Sequence, residues 1–290
     1  MRSHQPARVR SPAVAGQFYP GNERELSMAI DRFLNQAASR DPGARRAPTG
    51  PADGPEGSRD TGNAAGAPKA IIAPHAGYVY SGPVAAYAYA PWRGQGETVE
   101  RVVLLGHAHR VPVRSMALSS AQAWETPLGR VPIDLAAIES ISSMPGVVFD
   151  DRAHAPEHSL EVQVPFLQRV LGTRFALVPI IVGQASPSEV ADVLDVLWDG
   201  DETRIVVSTD LSHYHGYYEA RTLDRDTAAA IVARTPRLDP CDACGAFPVQ
   251  GILESARRHD LPVSLLDLRN SGDTAGPRDR VVGYGAFAVG

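Results

Sequence analysis

Two hydrophobic patterns alternate along the chain. Short runs of consecutive apolar residues, rich in Val, Ile and Leu, lie at 70–73, 101–105, 175–182, 204–208, 263–266 and 281–289. Continuous runs of this kind are typical of strands that are buried on both faces of a sheet. Between them lie segments in which apolar residues recur every three or four positions, as on one face of a helix. This alternation predicts an α/β fold with a largely parallel sheet covered on both faces.

Two of the predicted helices have clear boundaries. Asn22 is predicted to cap the first helix, with Glu25 three residues later as in a capping box. Ser186 is predicted to cap the second, which Pro187 begins and Gly200 ends. The apolar faces consist of Leu26, Ile30, Phe33 and Leu34 in the first helix and Val190, Val193, Leu194 and Leu197 in the second, and further helices are predicted at 217–234 and 248–258.

Residues 39–68 follow neither pattern. They are nearly all Gly, Pro, Ala, Asp and Arg, without apolar periodicity. Such a segment cannot bury enough surface to offset the entropy lost on ordering. An interdomain linker is the rival interpretation, but a single predicted helix precedes the segment, too little for a separate domain. The sequence therefore predicts one domain over 1–290 with a disordered insertion at 39–68.

Composition and charge narrow the class of protein. The 290 residues are 43% hydrophobic and 21% charged, with a formal net charge of −5, which is ordinary for a soluble globular protein. Nucleic-acid-binding and membrane-surface proteins usually carry a basic excess, so neither partner is expected. The sequence shows no apolar run long enough to cross a bilayer, and its polar first ten residues lead us to expect no secretory signal. Because two cysteines make no disulfide framework, a cytoplasmic protein with reduced thiols is expected.

Residues of metal-binding type follow three of the predicted strands. The first strand leads to His75, the second to His107 and His109, and the strand at 204–208 to Asp210, His213 and His215. Ligands of open α/β sheets bind outside the carboxyl ends of the strands. A lone histidine there is usually a capping or solvated residue, but three strand ends that deliver imidazoles, with a carboxylate added, match the needs of a metal site. The histidines at 4, 154 and 259 lack this context and are expected at the surface.

Two further polar motifs are ambiguous on their own. Cys241 and Cys244 form a lone C-x-x-C, which is a weak signal for zinc or redox chemistry. Cys244 precedes a predicted helix, whose dipole would favour a thiolate. The segment 157–161 places two glutamates and His158 before an apolar helix, where Ser159 is a candidate N-cap and Pro165 is expected to bend or shorten the helix.

Together, these motifs resemble the signature of the Memo family. The matching stretches are Ala73-Pro74-His75-Ala76-Gly77-Tyr78, Glu157-His158-Ser159-Leu160-Glu161, Ser208-Thr209-Asp210-Leu211-Ser212-His213 and Cys244-Gly245. The segments at 15–20, 124–129, 271–273 and 282–284 fit as well. Members in bacteria and archaea are often labelled AmmeMemoRadiSam system protein B. The resemblance spans nearly the whole chain apart from 39–68.

The resemblance implies a fold and a metal site. The fold would be a three-layer α/β/α sandwich with a largely parallel or mixed central sheet, like that of class III extradiol dioxygenases, which hold non-haem Fe(II) with two His and a carboxylate. In Memo proteins the corresponding set is two His and a Cys, which carries over to His75, His109 and Cys244. Four further residues match pocket positions and are the candidate catalytic residues: Asp210, His213, His158 and Glu161.

The loop after the second strand departs from the family pattern. The family usually has Gly-Pro-x-His there, whereas this chain has Gly106-His107-Ala108-His109. The spacing from Gly106 favours His109 as the ligand. His107 stands in place of the usual Pro and remains an alternative.

Three functions are compatible with these features. The leading hypothesis is a non-haem iron redox protein or dioxygenase-like oxidoreductase that acts on O₂ or an unknown small-molecule substrate, with Cu or Zn as alternative metals. Animal Memo proteins are described as phosphopeptide-binding signalling adaptors, so a vestigial site with a peptide or protein partner is the second hypothesis. A hydrolase that uses metal-activated water is the third.

Overall fold

Strands and helices alternate along the residues that this computed structural model describes, 8–40, 66–235 and 237–290. The strands are β1 (Val9–Arg10), β2 (Ala70–Ala73), β3 (Arg101–Gly106), β4 (Met116–Leu118), β5 (Ala123–Thr126), β6 (Gly129–Pro132), β7 (Val147–Phe149), β8 (Ala176–Val182), β9 (Thr203–Ser208), β10 (His213–His215), β11 (Val263–Asn270) and β12 (Val281–Val289). The helices are α1 (Glu23–Arg40), α2 (Tyr78–Tyr89), α3 (Leu135–Ser142), α4 (Asp151–His154), α5 (Val164–Leu171), α6 (Pro187–Leu197), α7 (Tyr217–Val232) and α8 (Ala246–Arg258).

A mixed nine-stranded sheet forms the middle layer. Its order is β10-β12-β2-β9-β3-β8-β4-β7, with β11 paired to β12. Strands β2, β9, β3 and β8 are mutually parallel, whereas β12 is antiparallel to β2 and β4 is antiparallel to β8. A second sheet of three short strands has the order β1-β5-β6.

Helices complete the three layers. Helix α2 packs on β2, β11 and β12 and contacts α1 and α5, while α8 packs on β9 and contacts α6, which in turn contacts α3. Helix α7 covers β11 and β12. The buried side chains of strands and helices form one hydrophobic core around the sheet. The predicted α/β/α sandwich with a mixed sheet is thereby confirmed.

The strongest local signals in the sequence coincide with the observed elements. Every apolar run predicted as a strand overlaps one, and the runs at 70–73 and 281–289 match β2 and β12 at both ends. Asn22 accepts a hydrogen bond from the Glu25 amide (2.9 Å), and Ser186 forms a complete capping box with Glu189. Pro165 does not bend its helix, because it lies in the first turn of α5, where a missing amide proton costs nothing.

His154 corrects the expectation of a surface histidine. Its side chain is buried, and Nε2 lies 2.9 Å from the Ala117 carbonyl oxygen, to which it donates. Burial lowers the pKa of His154 to about 4. His259 is exposed, as expected, and stacks on Trp198, whereas residue 4 lies outside the described residues.

The prediction of a disordered insertion stays untested. Ser39 lies in the last turn of α1, and Gly66 to Pro68 lead into β2. The rest of the segment, 41–65, lies outside the described residues. No helix within the described ranges is both long enough and apolar enough to cross a bilayer.

Candidate metal centre

The parallel strands β2, β9 and β3 end side by side. Ala73 pairs with Ser208, and Leu105 pairs with Val207, so the loops that follow leave the sheet at one edge. These loops carry the residues that the sequence singled out, as expected for a site at the carboxyl ends of strands.

His75 is held at this edge by contacts on both sides of its ring. It is buried, and its backbone amide donates to Asp210 Oδ1 (2.8 Å). Its Nδ1 lies 3.0 Å from Ser208 Oγ. Burial, with His109 and His158 nearby, lowers the pKa of His75 well below its ordinary value. The ring is therefore neutral, which is the form that binds metals.

The hydrogen bonds of Ser208 determine the tautomer of His75. Ser208 Oγ lies 2.6 Å from the carbonyl oxygen of Ser159, which can only accept, so the hydroxyl proton lies on that bond. Gln163 Nε2 donates to the same hydroxyl oxygen (2.8 Å). His75 Nδ1 must therefore carry the proton and donate to Ser208, which leaves a bare lone pair on Nε2.

The hydrogen bonds of Glu157 determine the tautomer of His109. Its Oε2 accepts the His109 amide (2.5 Å), and its Oε1 lies 2.9 Å from His109 Nδ1. Oε1 also accepts the backbone amides of His158 and Ser159. Hydrogen bonds from His109 and His158 outweigh the effect of burial and hold the pKa of Glu157 well below its usual range. An ionised carboxylate only accepts, so Nδ1 of His109 is protonated, and in the neutral ring Nε2 carries the lone pair.

Cys244 completes the group from the loop before α8. Its Sγ lies 3.3 Å from His75 Nε2 and 3.3 Å from the Asp210 amide nitrogen, which donates to it. The close approach requires Gly245, where a Cβ would lie 2.8 Å from the Ser208 carbonyl oxygen and 2.7 Å from Thr209 Cβ. Burial raises the pKa of the Cys244 thiol to about 12, so the helix dipole does not by itself produce the predicted thiolate.

The three side chains are arranged as a ligand set. One donor atom from each of His75, His109 and Cys244 lies within 4.8 Å of the others. Nitrogen and sulfur ligands at about 2.1–2.3 Å from an ion are themselves about 3–4 Å apart, so a small adjustment admits a metal ion. Two imidazoles and a thiol that can ionise suit Fe, Cu or Zn, and a bound cation would offset the raised pKa of Cys244.

A second group, His109, Glu157 and His158, also brings donor atoms within 4.8 Å of one another. Its Glu157 oxygens already accept four hydrogen bonds from N–H groups. We interpret this group as the support of His109 rather than as another ion site, because carboxylates that orient metal-binding imidazoles are the usual outer partners of such ligands.

The geometry favours His109 over His107 as the loop ligand. His107 stands edge to face with the His109 ring at 5.3 Å, and it belongs to neither donor group. Its buried Nδ1 has no hydrogen-bond partner among the described residues.

A cavity of about 590 Å³ opens above the ligand set. Of the candidate catalytic residues, Asp210, His213 and His158 line it. Burial raises the pKa of Asp210 to about 6 and lowers the pKa of His213. A carboxyl group that titrates near neutral pH beside an imidazole is equipped to accept and release protons.

Glu161 is not brought to this cavity. It is buried, and its carboxylate pairs with Arg10 (2.7 Å) and accepts the Tyr19 hydroxyl (2.6 Å) and the amides of Ala13 and Val14. Every oxygen of Glu161 is thus used to fasten the N-terminal segment. Its expected place in the pocket is corrected to a structural one. Ser159 likewise is no N-cap, since its hydroxyl donates to the His107 carbonyl oxygen (2.7 Å).

Several residues of the site escape sequence reasoning. Gln163 helps to orient His75 through Ser208, by a contact across the fold that no local pattern signals. The cavity wall also includes Phe18, Tyr80, Arg110, Tyr214, Arg280 and Tyr284.

The fold and the site define a class: an α/β/α sandwich with two oriented histidines and a cysteine at the carboxyl edge of its parallel strands. The chain belongs to the Memo family, because the family model described as Memo-like protein matches residues 10–288.

Proteins named MEMO1 family protein are similar to this chain over nearly its whole length. The one from Methanopyrus kandleri is 36% identical over 96% of this chain and 98% of its own length. Those from Aeropyrum pernix and Aquifex aeolicus are each 35% identical, over 97% and 96% of this chain and 100% and 97% of their own lengths.

Proposed function

We propose that this chain is a metal-dependent redox protein that holds one Fe(II) ion through His75, His109 and Cys244 and acts on a small-molecule substrate. The observation that carries the proposal is the pair of fixed tautomers, which leaves Nε2 as the acceptor nitrogen of His75 and of His109 in a group that includes the Cys244 sulfur. Copper and zinc fit the donor set as alternatives.

Three protein ligands leave open coordination positions, at which bound iron would supply one-electron redox chemistry toward O₂ or a substrate. Residues of the chain would take up and release the protons. His75 Nε2 lies 3.9 Å from Asp210 Oδ2, so Asp210 can take up a proton near the ligand set. His213 and His158 line the same cavity and can hold or release protons at the substrate.

The test is metal content after anaerobic reconstitution. Protein purified without chelators and supplied with Fe(II) should bind about one ion per chain, measured by elemental mass spectrometry. The variants His75→Ala, His109→Ala and Cys244→Ala should each nearly eliminate bound metal, because an incomplete site holds an ion poorly.

His107→Ala is the matched control in the same loop and should retain the metal. Loss of metal in His107→Ala but not in His109→Ala would show that His107, and not His109, is the ligand from this loop. Failure of the wild-type chain to take up Fe, Cu or Zn would refute the proposal as a whole.

One observation supports a metal-dependent hydrolase as the second candidate. Asp210 lies beside the proposed metal ligands, and the pKa of its carboxyl group is about 6. Such a group can act as a general base that activates water. This function requires zinc rather than iron in the reconstituted protein. It also requires esterase or phosphatase activity that falls as Asp210 becomes protonated below about pH 6.

A further inference from the structure

Two arginines at the cavity have no acidic partner. Arg110, in the loop after β3, and Arg280, just before β12, both line the cavity. Neither forms an ion pair with any residue in the described part of the chain. The cavity wall contains one acidic residue in that part of the chain, Asp210, which is buried at the floor and accepts the His75 amide. In a chain with net charge −5, this local excess of positive charge is not a consequence of composition.

Aromatic side chains form much of the remaining wall: Phe18, Tyr80, Tyr214 and Tyr284. Tyr214 is the residue at which the pairing of β10 with β12 is irregular, and its φ is +63°. A bulge re-aims a side chain, and a bulky residue at positive φ is strained and concentrates at functional sites. The Arg280 guanidinium lies 5.0 Å from the centre of the Tyr214 ring, so the strained residue and the unpaired charge are in contact.

We propose that the cavity binds a small ring-bearing oxyanion, with its ring against the aromatic wall and its carboxylate or phosphate group held by Arg110 and Arg280. Guanidinium groups bind such groups through paired hydrogen bonds that an ammonium does not reproduce. The cavity volume, about 590 Å³, is that of a small-molecule site. The inference rests on the proposed function in making this anion the substrate, but the arginine contacts do not require the metal.

The experiment compares ligands of equal shape and different charge. Isothermal titration calorimetry with benzoate, phenyl phosphate and neutral benzamide is carried out on the metal-free and the metal-loaded chain. An anion should bind at least about tenfold more tightly than benzamide in both forms, because the guanidinium groups form charge-assisted hydrogen bonds with an anion that the neutral amide lacks. The anion that binds more tightly, benzoate or phenyl phosphate, identifies whether the arginines hold a carboxylate or a phosphate group. Higher salt should weaken its binding.

Three variants test the arginines. Arg110→Gln and Arg280→Gln should each weaken anion binding about tenfold and leave benzamide binding unchanged. Arg280→Lys should be intermediate, because it keeps the charge and loses the planar fork. Arg114→Gln is the matched control, since it removes the same charge from the loop of Arg110 at an exposed position outside the cavity wall. Neither arginine side chain has a hydrogen-bond partner to lose within the part of the chain that the structure describes, and thermal melts check that each variant folds.

Equal binding of benzoate and benzamide would overturn the inference, as would an equal effect of Arg114→Gln. Anion binding that occurs only in the metal-loaded chain and is insensitive to both arginines would also overturn it, because the ion alone would then hold the anion. If the chain takes up no metal, the proposed redox function is refuted, but the titrations of the metal-free chain still test whether the cavity binds the anion.

Discussion

Replacing Glu157 by Gln should weaken metal binding without removing a ligand. Glu157 accepts N–H groups on both carboxylate oxygens, one donor on Oε2 and three on Oε1. Gln offers a single acceptor oxygen. With that oxygen in the place of Oε1, the new amide group faces the His109 amide, and two donors meet in a buried site.

The opposite orientation of the amide is worse. It turns the NH₂ group toward His109 Nδ1 and the amides of His158 and Ser159. The NH₂ group can donate to Nδ1 only if the proton of His109 moves to Nε2, and this removes the lone pair from the side of the ligand set. Either orientation therefore costs an unsatisfied buried donor, about 1–3 kcal/mol of folding free energy. Loss of such a partner typically weakens metal binding about 10–100-fold, or about 1.4–2.7 kcal/mol.

The assay is a competition for Fe(II) or Zn(II) against a chelator of known affinity, with thermal melts alongside. Glu161→Gln is the matched control, because Glu161 is equally buried and equally hydrogen-bonded but fastens the N-terminal segment. We expect both variants to melt earlier and only Glu157→Gln to lose metal affinity. Wild-type affinity in Glu157→Gln, or equal losses in both variants, would refute the tautomer argument.

Three further outcomes follow from other parts of the chain. Asp210→Asn and His213→Ala should keep the metal at reduced affinity, measured by the same competition, and impair any turnover. Replacement of residues 39–68 by a short Gly/Ser linker should leave the melting temperature nearly unchanged, because loop closure costs only about 0.6 kcal/mol per doubling of length; loss of folded protein would show that the segment packs. His154 has a folded pKa of about 4, below its ordinary 6.5, so the unfolded chain binds its proton first as the pH falls. The folded state should therefore lose up to about 1.4 kcal/mol per pH unit between pH 6.5 and 4 through this group, and denaturant melts of His154→Gln should depend less steeply on pH in that window.

The sequence predicts those features of the molecule that are encoded locally. An apolar run such as 281–289 and a capping pair such as Ser186 with Glu189 are signals within a few residues, and the structure matches them. The edge on which the site lies also follows from local order, because a parallel strand that ends in a polar loop must deliver that loop to the carboxyl edge. For this reason His75, His109 and Asp210 could be grouped before any contact was known.

Features that depend on tertiary pairing were not predictable. Burial of His154 is decided by its contacts with Ala117 and Trp124, which lie more than two dozen positions away in the chain. Glu161 and Glu157 stand in one motif, yet one binds the N-terminal segment and the other supports His109. Arg280 and Tyr214 reach the same cavity only because β10 pairs with β12. No periodicity along the chain encodes contacts of this kind.

The segment from Glu157 to Gln163 explains why the ligand set, the cavity wall and the sheet form one unit. Its first residue fixes the tautomer of His109, and its last fixes that of His75 through Ser208. Between them, Glu161 fastens the N-terminal segment, from which Phe18 reaches the cavity and packs on His158 at 4.6 Å. Gln163 in turn accepts the Tyr89 hydroxyl (2.8 Å), which ties the segment to α2. Since neither Glu157 nor Gln163 belongs to the ligand set itself, their substitution should change metal affinity while every proposed ligand remains in the sequence.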